Sequence, residues 1–194
     1  MLMNRAHILL IDNFDSFTYN VVELLRKIGH SCDVLRYDLF DIEIADAYSH
    51  IIISPGPGHP DEYTKHYALL NRFKHTKRIL GICLGHQIIA RYYGGELLNL
   101  PQVRHGIASE IRISNENEKL FSGLENPIIV GRYHSWAVAE TDFPKVLTIT
   151  SYSEDGIIMS LRHKSDEVCG IQFHPESIIT KQGNKMITNW LNSD

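Results

Sequence analysis

Apolar positions in the first half of the chain fall into two rhythms. Short runs at 7–11, 32–35, 51–53 and 78–82 are rich in Ile, Leu and Val and lack helical spacing. They read as buried strands. Between them, apolar residues recur at intervals of three and four. One set is Val21, Leu24, Leu25 and Ile28, a second is Tyr63, Tyr67, Leu70 and Phe73, and a third is Leu84, Ile88 and Tyr92. That spacing predicts amphipathic helices. Ser16 is the expected N-cap of the first, and Gly29 stands where its C-terminus favours a left-handed residue. Gly94-Gly95 stops the third. Crossover helices between short apolar strands predict an open, mostly parallel twisted sheet with helices on both faces, an α/β fold.

The pattern changes near Glu96. Runs at 107–113, 128–133, 146–150 and 157–161 sit between turn-rich stretches and read as antiparallel strands added to the same sheet. Residues 168–173 predict another strand, and Met186, Ile187, Trp190 and Leu191 a last amphipathic helix. No repeat or linker interrupts the chain, so 1–194 reads as one domain. This length suffices for one sizeable core.

Composition narrows the class. Nineteen Lys and Arg stand against 23 Asp and Glu, a formal charge of −4, which disfavours a nucleic-acid binder. No apolar run is long enough to span a membrane. Residues 1–12 reach an acid before a signal-peptide core forms, so a cytoplasmic protein is expected. Three widely spaced cysteines, Cys32, Cys83 and Cys169, suggest neither a disulfide framework nor a zinc site. No motif suggests a metal or an organic cofactor.

One of those cysteines is in a telling place. Gly81-Ile82-Cys83-Leu84-Gly85 follows a predicted strand and opens a predicted helix. A nucleophile flanked two residues either side by glycine, in that context, is a nucleophile elbow with sulfur for oxygen. The helix N-terminus favours thiolate, and the Leu84 N–H points where an oxyanion would form. The plainer reading, a small packing cysteine, accounts for neither glycine. A thiol needs a base. Among eleven histidines, His174 follows a strand and precedes Pro175, which pushes it toward an extended conformation. Glu176, two residues on, then falls on the same side. Cys83, His174 and Glu176 become nucleophile, base and orienter, in a chain order that disfavours the α/β-hydrolases. The loop Ser54-Pro55-Gly56-Pro57-Gly58 closes a strand at the same sheet edge, where Gly56 offers an unobstructed N–H. By itself that loop also reads as an ordinary Pro-Gly turn.

These segments, with Gly170-Ile171-Gln172-Phe173-His174-Pro175-Glu176-Ser177, resemble the class I (triad) glutamine amidotransferases. Asp12-Asn13-Phe14-Asp15-Ser16-Phe17-Thr18-Tyr19-Asn20, Arg132-Tyr133-His134-Ser135 and the tail from Gly183 are similar to the glutaminase subunits of anthranilate and aminodeoxychorismate synthases. The resemblance implies a flavodoxin-like sheet and attack by Cys83 on the side-chain amide of L-glutamine. It implies proton transfer by His174, held by Glu176, and an oxyanion hole from the N–H groups of Gly56 and Leu84. Gly58, Gln87 and the backbone at Ser135 and Trp136 would hold the substrate. Ammonia would pass to a separate chorismate-binding synthase subunit in a hetero-oligomer, for which this chain has no room. Two positions depart from the family pattern. Ile107 follows Arg104-His105-Gly106, where lysine is common, and Trp136 stands where leucine is common.

Rival readings are few. A signalling receiver needs an acid after its central strand, whereas Ser54-Pro55 follows residues 51–53 here. A partner-free cysteine hydrolase of γ-glutamyl peptides would show no activation by a synthase subunit. The product, anthranilate or aminodeoxychorismate, stays open at this level.

Overall fold

The computed structural model describes residues 6–193. The expectation drawn from residues 1–12 therefore lies partly outside the described residues. The strands β1 (Ile8–Asp12), β2 (Cys32–Arg36), β3 (His50–Ile53) and β4 (Arg78–Ile82) alternate with the helices α1 (Thr18–Lys27), α2 (Lys65–Phe73) and α3 (Leu84–Tyr92) in the expected order. Then come β5 (Leu97–Asn99), β6 (Ile107–Ile113), β7 (Ile128–Arg132), β8 (Trp136–Val138), β9 (Leu147–Ser153), β10 (Ile158–His163), β11 (Val168–Ile171) and α4 (Gly183–Asn192).

Nine strands make one sheet in the order β2-β1-β3-β4-β11-β10-β9-β6-β7. The first five are parallel and the rest antiparallel. Period-two alternation sorts the strand residues onto two faces. Ile8 and Leu10 join a core with Val21, Leu25, Met186 and Trp190 beneath α1 and α4. Leu9 and Ile11 join the opposite core with Leu69, Leu70, Ile88 and Ile89 beneath α2 and α3. Burial on both faces is why these strands read as unbroken apolar runs.

The C-terminal edges of β1, β3, β4 and β11 lie side by side, so the loops after them converge at one end of the sheet. That is where open α/β sheets bind ligands.

Several local expectations are corrected. Ser16 does not cap α1, whose N-cap is Phe17 with no side-chain cap. Instead Asp15 Oδ1 accepts the Phe17 N–H, and Asp12 Oδ1 accepts both the Asp15 N–H and the Thr18 hydroxyl. Two acidic oxygens are stronger acceptors than the serine. The last parallel strand stops at Ile171, two residues early, because the chain must turn toward His174. The β5–β8 pair departs from expectation too, since strands of three residues carry too little periodicity to be read.

Candidate active site

Cys83 stands between β4 and α3 with φ 53° and ψ −101°, a conformation that side chains rarely adopt. Its N–H donates to the Ile171 carbonyl, and its own carbonyl accepts from the Gln87 N–H. The flanking glycines are there for contact. A Cβ on Gly81 would strike the backbone of Gly85, and one on Gly85 the carbonyl of Ile53. The elbow is thus nested against β3 by backbone alone. Leu84 opens α3, so its N–H is one of the first four that have no partner within the helix.

His174 and Glu176 meet as expected, by a different backbone route. The segment is a turn, with the Ser177 N–H on the His174 carbonyl, after a single bridge from His174 to Gly131. Thr180 ties that turn to β7 by donating to the His174 carbonyl and accepting from the Gly131 N–H. His174 Nδ1 lies 2.6 Å from Glu176 Oε1, and both side chains are buried. Nδ1 therefore carries the proton toward the carboxylate, and buried Nε2 is left for Cys83. Burial alone would lower the pKa of His174. The Glu176 carboxylate, and next the Cys83 sulfur, outweigh it and raise the pKa well above the ordinary histidine value. The imidazole is boxed by Phe17 and Tyr133, with ring centres at 5.1 and 4.8 Å.

Cys83 opens onto a pocket of about 180 Å³ lined by Gly56, Gly58, Leu84, Gln87, Ser135 and Trp136. Every sequence-predicted oxyanion and substrate position thus lines one cavity, beside the His174–Glu176 pair. The loop carrying Gly56 is pinned from below. Asn13 Nδ2 donates to the Ser54 carbonyl, the Asn13 N–H to Ser54 Oγ, and His66 Nε2 to Asn13 Oδ1. Burial, and then Lys65, lowers the His66 pKa to about 3, so the ring is neutral. A Cβ on Gly56 would lie 2.6 Å from Leu84 Cδ2, so glycine is what lets this loop sit against the elbow.

Gln87 is more constrained than its sequence role suggests. Its Nε2 donates to the Trp136 carbonyl at 2.8 Å and to Gln172 Oε1 at 3.0 Å. Both N–H groups are spent within the protein, which leaves only an acceptor oxygen for a ligand. Gln172 Nε2 in turn lies 3.6 Å from Cys83 Sγ. Spacing does not single out Asn13, His66, Tyr133 or Gln172. For Gln172 a signal exists, because alternation places it on the same side as His174 two residues on. Larger hollows of about 290 and 320 Å³ lie near Cys32 and near His75; Cys32 shares the first with His7 and His30 but hydrogen-bonds to neither, and burial pushes its thiol pKa up to about 11.

An elbow thiol with a buried His–Glu pair at the C-terminal edge of a parallel sheet is the arrangement found in cysteine-dependent acyl-transfer enzymes. Residues 9–193 match the family model described as glutamine amidotransferase class-I, and the chain belongs to that family. It is 42% identical over 184 residues to a candidate anthranilate synthase component II of Haemophilus influenzae, covering 95% of each chain. Aminodeoxychorismate/anthranilate synthase component 2 of Bacillus subtilis is 39% identical over 186 residues, again 95% of each. Aminodeoxychorismate synthase component 2 of Klebsiella aerogenes is 41% identical over 189 residues, 95% of this chain and 99% of that one. Among solved structures, a candidate GMP synthase component from Thermoplasma acidophilum superposes with a TM-score of 0.84 at 24% identity, covering 96% of this chain and 92% of that one.

Proposed function

We propose that this chain is the glutamine-hydrolysing component of a chorismate-aminating synthase, with Cys83, His174 and Glu176 as its triad. The observation that carries this is the buried His174–Glu176 pair beside the elbow cysteine. Cys83 thiolate attacks the amide carbon of L-glutamine. The N–H groups of Gly56 and Leu84 take the developing oxyanion, each worth roughly 100- to 1000-fold. The His174 imidazolium gives its Nε2 proton to the departing nitrogen, and the collapsing tetrahedral carbon releases ammonia and leaves a γ-glutamyl thioester. His174 then takes a proton from water. Hydroxide adds to the thioester, and the C–S bond breaks to give glutamate and free thiolate. Glu176 keeps the imidazole oriented throughout. Gln87 Oε1 accepts from the substrate ammonium, with Gly58 and the backbone at Ser135 and Trp136 around it.

Free ammonia would protonate in water and lose its nucleophilicity, so direct transfer to a partner is favoured. The exposed apolar side chains of Phe14, Leu39 and Ile178 follow the C-terminal edges of β1, β2 and β11. Such side chains at this end of the sheet suit a docked partner that binds chorismate. A reduced Cys83 suits the cytoplasm. Anthranilate is the first product to seek. The Bacillus subtilis relative is named for both synthases, so aminodeoxychorismate is the second reading.

The test is co-purification of the partner from the source cell, followed by assay with chorismate. Cys83→Ala should abolish product formation from glutamine while ammonium salts still support it. Glutamine-dependent turnover by that variant would overturn the triad, and equal glutaminase activity with and without the partner would favour a free-standing hydrolase.

A further inference from the structure

Beyond the triad, the sulfur has one more polar neighbour. Gln172 is fully buried, and its side chain lies between Cys83 Sγ at 3.6 Å and Gln87 at 3.0 Å. The two ends of an amide differ, so its effect on the sulfur depends on which end faces it. A hydrogen-bonded chain decides that. The Trp136 carbonyl can only accept, so the atom of Gln87 that bonds it is the NH2 group. The second hydrogen of that group then faces Gln172, whose near atom must be its carbonyl oxygen. The opposite end, an N–H donor, is left toward the sulfur.

The same chain runs outward. The Trp136 carbonyl also accepts from His134 Nδ1, which fixes the imidazole as the Nδ1–H form. His134 Nε2 is then an acceptor, and Arg132 Nε donates to it at 3.2 Å. Arg132 is buried and anchored by Asp155 Oδ1 at 2.8 Å. Burial and the Arg132 charge lower the His134 pKa to about 4, so the ring does not flip its role near neutrality. Every link from Asp155 to Gln172 has a defined donor and acceptor.

We propose that Gln172 is a fourth catalytic residue: its Nε2–H donates to the Cys83 thiolate and holds that sulfur in its attacking position, with Gln87 fixing the amide's direction. This rests on Cys83 being the nucleophile. The imidazolium of His174 offers charge from one side; the amide supplies a neutral donor from another, which cannot deprotonate during turnover.

The test follows the reactivity of Cys83 itself, on full-length protein, with iodoacetamide as the probe between pH 5 and 9. Gln172→Glu puts an anionic oxygen where the N–H was, and Gln172→Met removes the donor at similar volume. Alkylation at pH 7 should slow roughly tenfold or more in the first and by less in the second. The pH midpoint should rise in the order wild type, Met, Glu. With glutamine, kcat should fall by more than KM changes. A merely structural role predicts unchanged midpoints with lowered thermal stability. If both variants fold and keep the wild-type profile, the proposal is overturned. Should one fail to fold, the other carries the test alone. If neither folds, a neutron or proton-resolved structure of wild type decides, since an Nε2 pointing away from Sγ overturns it. A wild-type protein whose Cys83 resists iodoacetamide and glutamine alike would instead sink the functional reading beneath it.

Discussion

Cys83 carries a backbone conformation that glycine adopts freely and a side chain does not, with φ at 53°. Such a residue costs on the order of 1–3 kcal/mol. Cys83→Gly relieves that strain and Cys83→Ala does not. We expect the glycine variant to be the more stable of the two by about 1 kcal/mol, after the entropic cost of glycine. Thermal unfolding should show a gap of roughly 2–4 °C; an alanine variant that melts higher would argue against strain. The His174–Glu176 pair gives a second expectation at this scale. His174 has a raised pKa in the folded protein. Its contribution is therefore complete below the ordinary value of 6.5 and is lost as pH rises through the folded value. Glu176→Gln should cost about 1.5–3 kcal/mol near pH 6. Denaturant titrations of both proteins should converge toward alkaline pH. The proposed triad is legible in the sequence because each member sits within two residues of Gly or Pro, residues that announce their backbone geometry. Gln172 is only partly legible: alternation puts it on the side of His174, but a buried amide has no motif of its own.

At the level of elements, the proposed oxyanion loop and the elbow belong to different strands, and the loop is tied to a third by Asn13, which follows β1. Asn13→Ala leaves the Ser54 carbonyl and His66 Nε2 without their buried partners. Each such loss costs about 1–3 kcal/mol. The Gly56 N–H is then free to drift from the oxyanion position. We expect kcat to fall roughly tenfold, a fraction of what a whole donor is worth, with a smaller change in KM. Steady-state glutaminase kinetics with the partner would read this split, and a pure KM effect would place the loop outside the chemistry. The parallel half of the sheet can be read from the chain because buried strands and crossover helices have different periodicities. Ser16 is a misleading cap signal because two carboxylates, Asp12 and Asp15, outcompete its hydroxyl. The β5–β8 pair escapes a sequence reading because it joins residues far apart along the chain.

Across the whole molecule, three buried histidines have depressed pKa values. Burial brings His66 and His86 to about 3 and His134 to about 4. In the unfolded chain each titrates near 6.5. Between these values the unfolded state binds more protons, so stability falls as pH drops below 6.5. The slope is at most about 1.4 kcal/mol per histidine per pH unit, or about 4 for the three. Urea midpoints between pH 7 and 5 should fall steeply; half-buried His50, which burial also lowers to about 4, adds to the fall, so His66→Asn should flatten it by about a quarter. A level profile over this range would mean that these rings reach water. None of this is visible along the chain, because eleven histidines look alike until burial separates them.

The elbow also bears on how such a protein ages in a genome. The cysteine proposed as nucleophile occupies the place where a single change to glycine should make the fold easier to keep. A duplicated copy freed from hydrolysing glutamine would thus be drawn toward losing the thiol, while the sheet and its contacts persist. Only continued demand for nitrogen transfer keeps a side chain at position 83.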